Sequence, residues 1–479
     1  MSPSTTSGTG GAVAAVDLGA TSGRVMLGHI GGGELRLQHV LRFPNGPMDT
    51  SDGLHWNIDG LYRSILAGLR AALRKEPNIR SVGVDSWAVD YALLRSGREL
   101  GNPFHYRDDR SFAAVDAVDN VIERPELYAR NGLQFLPFNT LYQLTADRMS
   151  GRLTDADRFL LIPDLINFWL SGAEVGERTN ASTTGLLGVK SGLWDDALID
   201  RLELPRAIFA ELVSAGTALG GLTAGVLAEL GGGENMRVTT VGSHDTASAV
   251  VGIPATTDDF AYISCGTWGL VGVEIDAPVL TEESRLANFT NEAGVDGRIR
   301  YLHNVMGLWL LSESVRTWER EGTAIHLPTL LERAAQVTTA VPVFDTNDER
   351  FLAPGDMPTR ISEWCGERGI PAPRSVAEFV RSIVESLADA FATAVADASR
   401  LSHKPVSAIH IVGGGSQNDL LCQLIADRSG LPILAGPVEA TAIGNILVQA
   451  RTAGLVTGTL ESLRGIVAGS FEQNLYLPR

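Results

Sequence analysis

Residues 13–30 read VAAVDLGATSGRVMLGHI. An apolar run from Val13 to Leu18 carries one aspartate, Asp17. The turn that follows, Gly19 to Arg24, is made of small and hydroxyl residues, and a second apolar run begins at once. A P-loop needs G-K-[ST] and a following helix, and this stretch has neither. A dinucleotide fingerprint also opens a helix, whereas here a strand follows the glycines. What remains is a hairpin whose turn exposes backbone N–H groups and hydroxyls, which can cradle phosphate oxygens. Asp17, at the strand end, is placed to hold a hydrated Mg²⁺, and Arg24 can add a positive charge. An ordinary hairpin turn is the competing reading.

Working outward, the triplet GGG at 31–33 leads into the alternating stretch ELRLQHVLRF, so the first segment reads as a three-stranded antiparallel meander. Ile58, Leu61, Ile65, Leu66, Leu69 and Leu73 then recur at helical spacing, predicting an amphipathic helix over 58–75. The stretch IRSVGVDSWAVDYALL returns to strand character. The second half opens in the same way: FAYISCGTWGLVGVEI, 260–275, is again run, small-residue turn and run. A helix from a Ser375–Glu378 capping box follows. Next come the strand AIHIV, three glycines, and a helix closed by Gly430. This internal echo predicts two related α/β domains facing each other, 12–250 and 251–479, after a polar tail over 1–11.

A chain of 479 residues exceeds one ordinary core, consistent with that division. With 44% hydrophobic and 20% charged residues it has the composition of a globular protein. No apolar run approaches the ~18 residues that cross a bilayer. The first eleven residues lack the apolar segment of a signal peptide. Cys265, Cys365 and Cys422 have neither disulfide nor metal spacing, and a cytoplasmic location fits. A net charge of −17 argues against nucleic acid and anionic membranes as partners. It does not exclude a phosphate-bearing ligand, which backbone N–H groups and a divalent cation can bind.

Other stretches carry chemistry. SCGTWG, 264–269, is the second small-residue turn, with Thr267 as its hydroxyl. IVGGGSQNDLL, 411–421, lets a ligand approach the backbone, and Asn418 offers a polar contact; a tight strand–helix connection is the alternative. SHDTAS, 243–248, holds Asp245, a suitable acceptor for the proton of a hydroxyl attacking a γ-phosphate. His244 and Thr246 can hold neighbouring hydroxyls. Taken locally, Asp245 or Ser243 reads equally as a helix N-cap. Asp85, Trp87 and Asp90 suggest a sugar pocket or an amphipathic strand. The loop NPFHYRDDR, 102–110, reads as held by internal ion pairs, with Arg110 structural.

Together AVDLGATSGRVML, GVDSWAVDYALL, YRDDR, SHDTASAV, SCGTWGLVGVE, NFTNEAGVDGRIRYLHNVMGLWLL and GGGSQNDLLCQLIADRSGLPILAGPVEATAIGNI occur in order along the chain. In these stretches the sequence resembles the FGGY carbohydrate kinases, most closely the branch that phosphorylates L-rhamnulose at its C1 hydroxyl. The resemblance implies two RNase H-like domains of actin/hexokinase type flanking an active-site cleft, acting as a monomer on ATP, Mg²⁺ and a small ketose. It implies that Ala20, Thr21, Ser22, Gly23 and Arg24 form a first phosphate loop. Thr267 then belongs to a second phosphate loop, and Gly414 and Gly415 to the adenosine site. His244, Asp245 and Thr246 become sugar contacts with Asp245 as base, and Asn304 a further substrate contact. Two departures stand out. Ala88 occupies a sugar-pocket position usually held by glycine, which leaves related ketoses or polyols such as fuculose or xylulose open as substrates. Ser312 occupies a nucleotide-associated position usually held by glutamine. A non-enzymatic actin-like nucleotide-binding protein is the rival from another class.

Overall fold

The structure, a computed structural model, describes residues 10–479; most of the tail expected over 1–11 lies outside the described residues. Contacts group the chain into two compact units. Unit 1 comprises residues up to Thr256, Glu274–Arg300 and Glu439–Phe471; unit 2 comprises Thr257–Val273, Tyr301–Val438 and Glu472–Arg479. By contacts, two later segments thus group with the first half.

In unit 1 the opening meander is β1 (Gly11–Leu18), β2 (Ser22–Gly31) and β3 (Glu34–Pro44). Successive strands pair antiparallel. The amphipathic stretch forms α1 (Ile58–Lys75), capped by Asn57 and burying Leu61, Ile65, Leu66 and Leu69. The chain then enters β4 (Ile79–Ser86), parallel to β1. Two short strands, β5 (Ala218–Gly221) and β6 (Arg237–Thr239), complete a sheet of order β5-β6-β4-β1-β2-β3. β6 runs parallel to β4.

Unit 2 repeats this plan with β7 (Phe260–Cys265), β8 (Trp268–Ile275) and β9 (Ile299–Met306), followed by β10 (Ala408–Val412) and β11 (Ile433–Ala435). The strand order is β9-β8-β7-β10-β11, and β12 (Asn474–Tyr476) is added at the far edge. β7 pairs antiparallel with β8 and parallel with β10, as β1 does with β2 and β4. The echo seen in the sequence is therefore one α/β topology used twice. Helix α5 (Val376–Ser402) starts on the predicted capping box and buries Val380, Ile383, Val384, Leu387 and Phe391.

The return of the C-terminal segment to unit 1 has a packing cause. Helix α7 (Ala440–Thr452) buries Ile443, Ile446 and Leu447 against Val13, Ala15, Met26 and Val241. Gln449 Nε2 also donates to the Ala14 carbonyl at 2.9 Å.

The continuous strand expected over 79–94 is interrupted. β4 stops at Ser86, and a separate strand, Tyr91–Arg95, begins after a kink. Val89 in that kink has φ +68, which β-branched residues rarely adopt. Asp90 holds it together. Its carboxylate accepts from Trp56 Nε1 at 2.6 Å, Trp87 Nε1 at 3.0 Å, Tyr106 N at 3.1 Å and Gln143 Nε2 at 2.9 Å. Asp90 is thus a buried anchor for two indoles. Arg110 is structural as read, but its ion pair reaches outside its loop, to Asp147 at 2.6 Å.

Burial pushes the Asp90 carboxyl from 3.8 up to about 6, against its four hydrogen bonds. The protonated form therefore favours the fold. That contribution is full below about pH 4 and is lost as pH rises through about 6, roughly 3 kcal/mol in all. Asp90→Asn, which cannot titrate, will lack this fall. Urea unfolding of both chains from pH 4 to 7 checks it, and parallel profiles would overturn it.

Candidate active site

Within unit 1, register brings carboxylates to one end of the sheet. Asp17 and Asp85 are partners across the parallel β1–β4 pair. Beyond β4, Ser86 bridges to His244, with Ser86 N donating to Ser243 O at 2.9 Å. The next residue, Asp245, starts α3 (Asp245–Val251). Neither Ser243 nor Asp245 caps this helix: the N-cap is His244, and no side chain makes the cap bond. The purely local reading of SHDTAS is therefore not the one the fold uses.

The three carboxylates differ in environment. Asp17 Oδ2 accepts from Arg24 Nε at 2.9 Å and Nη2 at 2.7 Å, and only 4% of its side-chain surface is exposed. Arg24 also reaches Glu439 at 2.9 Å; burial works against its charge, and Asp17 and Glu439 outweigh it. Asp85 is fully buried: Oδ2 accepts from Asn445 Nδ2, while Oδ1 has no hydrogen-bond partner. Burial, then the charges of Asp17 and Asp245, hold its carboxyl well above the usual range. Asp245 keeps 31% of its side chain open to solvent. Its buried surroundings raise its pKa against the opposing charge of His244, and Asp17 raises it further.

The loop that presents Asp245 is anchored from below. Glu177 Oε2 accepts from Ser243 N at 3.1 Å, Ser243 Oγ at 2.7 Å and Thr179 N at 3.0 Å. Thr179, in the short helix α2 (Arg178–Ala181), accepts through Oγ1 from His244 N at 3.2 Å. Thr246 Oγ1 donates to Asp245 Oδ1 at 3.2 Å. His244 Nε2 lies 3.5 Å from Asp245 Oδ1, while Nδ1 faces Glu292 and Arg300, each at 3.1 Å. Ala88 sits partly exposed in the kink after β4. Thr21, at the tip of the first turn, is exposed, with Ala20 and Ser22 half-buried. Gly23 is required by packing, since a Cβ there would lie 2.2 Å from the Phe43 ring.

Within unit 2, the second turn and the glycine triplet come together. Thr267 O accepts from Trp309 N at 3.2 Å, at the start of α4 (Trp309–Arg320), which carries the exposed Ser312. A Cβ on Gly413 would lie 2.8 Å from Cys265 O, and one on Gly415 2.3 Å from Cys265 Sγ. Gly414 is the open member, exposed and with its nearest neighbour, Leu308 Cδ1, at 3.9 Å. Asn418 caps α6 (Asp419–Ser429), its Oδ1 accepting from Leu421 N at 3.1 Å. Asn304 is half-buried in β9.

Sequence reasoning did not single out Glu177, Glu292, Arg300, Glu439 or Asn445. Arg300 carried the one available signal, an arginine inside the apolar run IRYLHNVM, where it is fully buried.

Among solved structures, the fold matches gluconate kinase from Lactobacillus acidophilus with TM-score 0.79 at 18% identity, covering 98% of this chain and 94% of that one. Glycerol kinase from Plasmodium falciparum matches with TM-score 0.77 at 13% identity, covering 98% and 94%. This is the two-domain architecture of sugar and polyol kinases. Residues 12–252 match the model of the FGGY carbohydrate kinase N-terminal domain, and residues 261–453 that of the C-terminal domain. The chain belongs to the FGGY family of carbohydrate kinases. Similar curated proteins include the rhamnulokinase of Pectobacterium atrosepticum, 42% identical over 98% of this chain and 93% of its own length. That of Bacteroides thetaiotaomicron is 39% identical over 97% and 95%, and that of Bacillus subtilis 37% over 97% and 95%.

Proposed function

We propose that this enzyme transfers the γ-phosphoryl group of ATP to the C1 hydroxyl of L-rhamnulose, giving L-rhamnulose 1-phosphate. One observation carries the chemistry: of the carboxylates at the sheet end, Asp245 alone keeps an accessible side chain, 31% open against 4% for Asp17. The choice of sugar rests on relatives called rhamnulokinase that are 37–42% identical along nearly the whole chain. That favours L-rhamnulose over fuculose or xylulose, and an enzyme over a non-catalytic nucleotide-binding protein.

Asp245 takes the proton from the C1 hydroxyl as that oxygen attacks the γ-phosphorus. The new O–P bond forms, the bond to the β–γ bridging oxygen breaks, and ADP leaves. His244 and Thr246 orient the sugar, with Ala88 in the wall of its pocket and Asn304 as a further contact. The turn from Ala20 to Arg24 and the hydroxyl of Thr267 hold phosphates. Gly414, with Gly415 behind it and Asn418 fixing the helix start, takes the adenosine, and Ser312 is a further nucleotide contact. Among the described residues no three His, Cys, Asp or Glu side chains form a metal cluster by themselves. Mg²⁺ bound with a nucleotide needs only one or two carboxylates besides phosphate and water. Asp17 fits this requirement, as does the partnerless buried Oδ1 of Asp85 beside it. The cation would offset charge on the β- and γ-phosphates. Free, buried Cys265, Cys365 and Cys422 support a reducing, cytoplasmic setting.

A coupled assay of ADP release over a ketose panel tests the reading. L-rhamnulose is expected to exceed L-fuculose and D-xylulose in kcat/KM by roughly 10–200-fold, the range set by small differences in apolar contact. An equal or better rate with another ketose would overturn the substrate assignment.

A further inference from the structure

We propose that Glu292, paired with Arg300, is a positioning residue that fixes the His244 ring so that an Nε2–H points at Asp245. The proposal rests on the reading of Asp245 as the base. Glu292 and Arg300 lie in the segment Glu274–Arg300 that returns to unit 1.

His244 is 5% exposed, so its ring nitrogens find partners within the protein. On one side, Nδ1 accepts from Arg300 Nη2 at 3.1 Å and lies 3.1 Å from Glu292 Oε2, an ion-pair contact without a hydrogen bond. Those two groups are themselves 3.1 Å apart. On the other side, Nε2 lies 3.5 Å from Asp245 Oδ1.

The arrangement selects among protonation forms. If Nδ1 accepts from Arg300, the ring proton is on Nε2. Glu292 Oε2 makes no hydrogen bond of its own, so it acts on the ring as the ion-pair partner of Arg300. Arginine can only donate, so Nδ1 is the acceptor and the neutral ring presents its N–H on the Asp245 side. Asp245 Oδ1 then accepts from Thr246 Oγ1, with the imidazole N–H 3.5 Å away in ion-pair range, which leaves Oδ2 to receive the substrate proton.

The energetics point the same way. Arg300 is 0% exposed, and its Nη1 has no hydrogen-bond partner. Burying an ion pair is seldom a net stabiliser compared with apolar packing. Burial raises the Glu292 pKa, but Arg300 and His244 outweigh it and hold the carboxyl below the usual range. A charged pair kept in such a place, against a ring that touches the candidate base, has the character of the outer-shell partners that orient histidines in other sites.

A double-mutant cycle tests this, using the ketose with the highest turnover and ADP binding as the check on folding. Glu292→Gln is expected to lower kcat/KM for the ketose about 10–100-fold, with ADP affinity unchanged. In a His244→Asn background the same substitution should cost less than about threefold, because Glu292 acts through the ring. A loss multiplying equally in both backgrounds, or Glu292→Gln within about threefold of the parent, would overturn the proposal. If Glu292→Gln does not fold, the charge-free Glu292→Gln/Arg300→Gln pair takes its place in the cycle. Failure of the underlying reading is distinguishable, since it appears as sustained turnover in Asp245→Asn whatever the cycle gives.

Discussion

Asp245→Asn will lower kcat for the ketose by roughly 10²–10⁴-fold, the usual worth of a positioned general base, while ADP affinity stays within about threefold. The asparagine is isosteric and keeps an oxygen for the Thr246 hydroxyl, so α3 stays in place and only the proton acceptor is lost. No neighbour can substitute. Asp17 is tied to Arg24 by two hydrogen bonds, and Asp85 is fully buried beside Asn445. The parent enzyme should also show the base in its pH profile. Because buried surroundings and Asp17 raise the Asp245 pKa, kcat/KM will fall, as pH is lowered, from a point above the ordinary value of 3.8. Near-parental turnover in the variant would sink the assignment. Steady-state kinetics with calorimetric ADP binding separates loss of chemistry from loss of fold.

Gly444→Ala will destabilise unit 1 by ~3 kcal/mol, near the upper end of overpacking costs, and reduce kcat as well. Gly444 lies in α7 where it crosses α3, and a Cβ there would sit 1.8 Å from Ser248 O and 2.7 Å from Ser248 C. The obstacle is backbone, which cannot swing aside as a side chain can. The contact is reciprocal: a Cβ on Gly252, at the end of α3, would sit 2.2 Å from Ala440 O. To admit one methyl the helices must separate, and α3 carries Asp245 on its first turn. A displacement on the order of 1 Å can cost about 10²-fold in rate. In an uncrowded helix the same change would gain about 1 kcal/mol, so the sign of the effect is decisive. An unfolding midpoint at or above that of the parent would show that the close approach does not constrain the fold.

Much of this was legible because it is local. The capping box at Ser375, the left-handed Gly430 after α6 and the apolar stripe of α1 depend on neighbours within a few residues, and each is found where its pattern placed it. The glycine triplet was half legible. Its tight packing and its openness to a ligand were competing readings of one motif, and the structure divides them by residue: Gly413 and Gly415 press on Cys265, while Gly414 stays open. The aspartates of GVDSWAVDY look alike in sequence. Only the fold makes Asp90 an indole anchor and Asp85 a buried companion of Asp17.

The sequence by itself determined the α/β character of the chain, its doubled hairpin opening, and the small-residue turns between those strands. These follow from side-chain periodicity and from the few residues that tolerate tight turns. Tertiary structure alone decided that Glu274–Arg300 and Glu439–Phe471 belong with the first half. It also decided that Asn445 meets Asp85 across 360 residues, and that Glu292 and Arg300 close on His244. The physical reason is the same in each case. A buried charge or amide must find its partner wherever packing places one, and that complementarity leaves no local pattern in either segment.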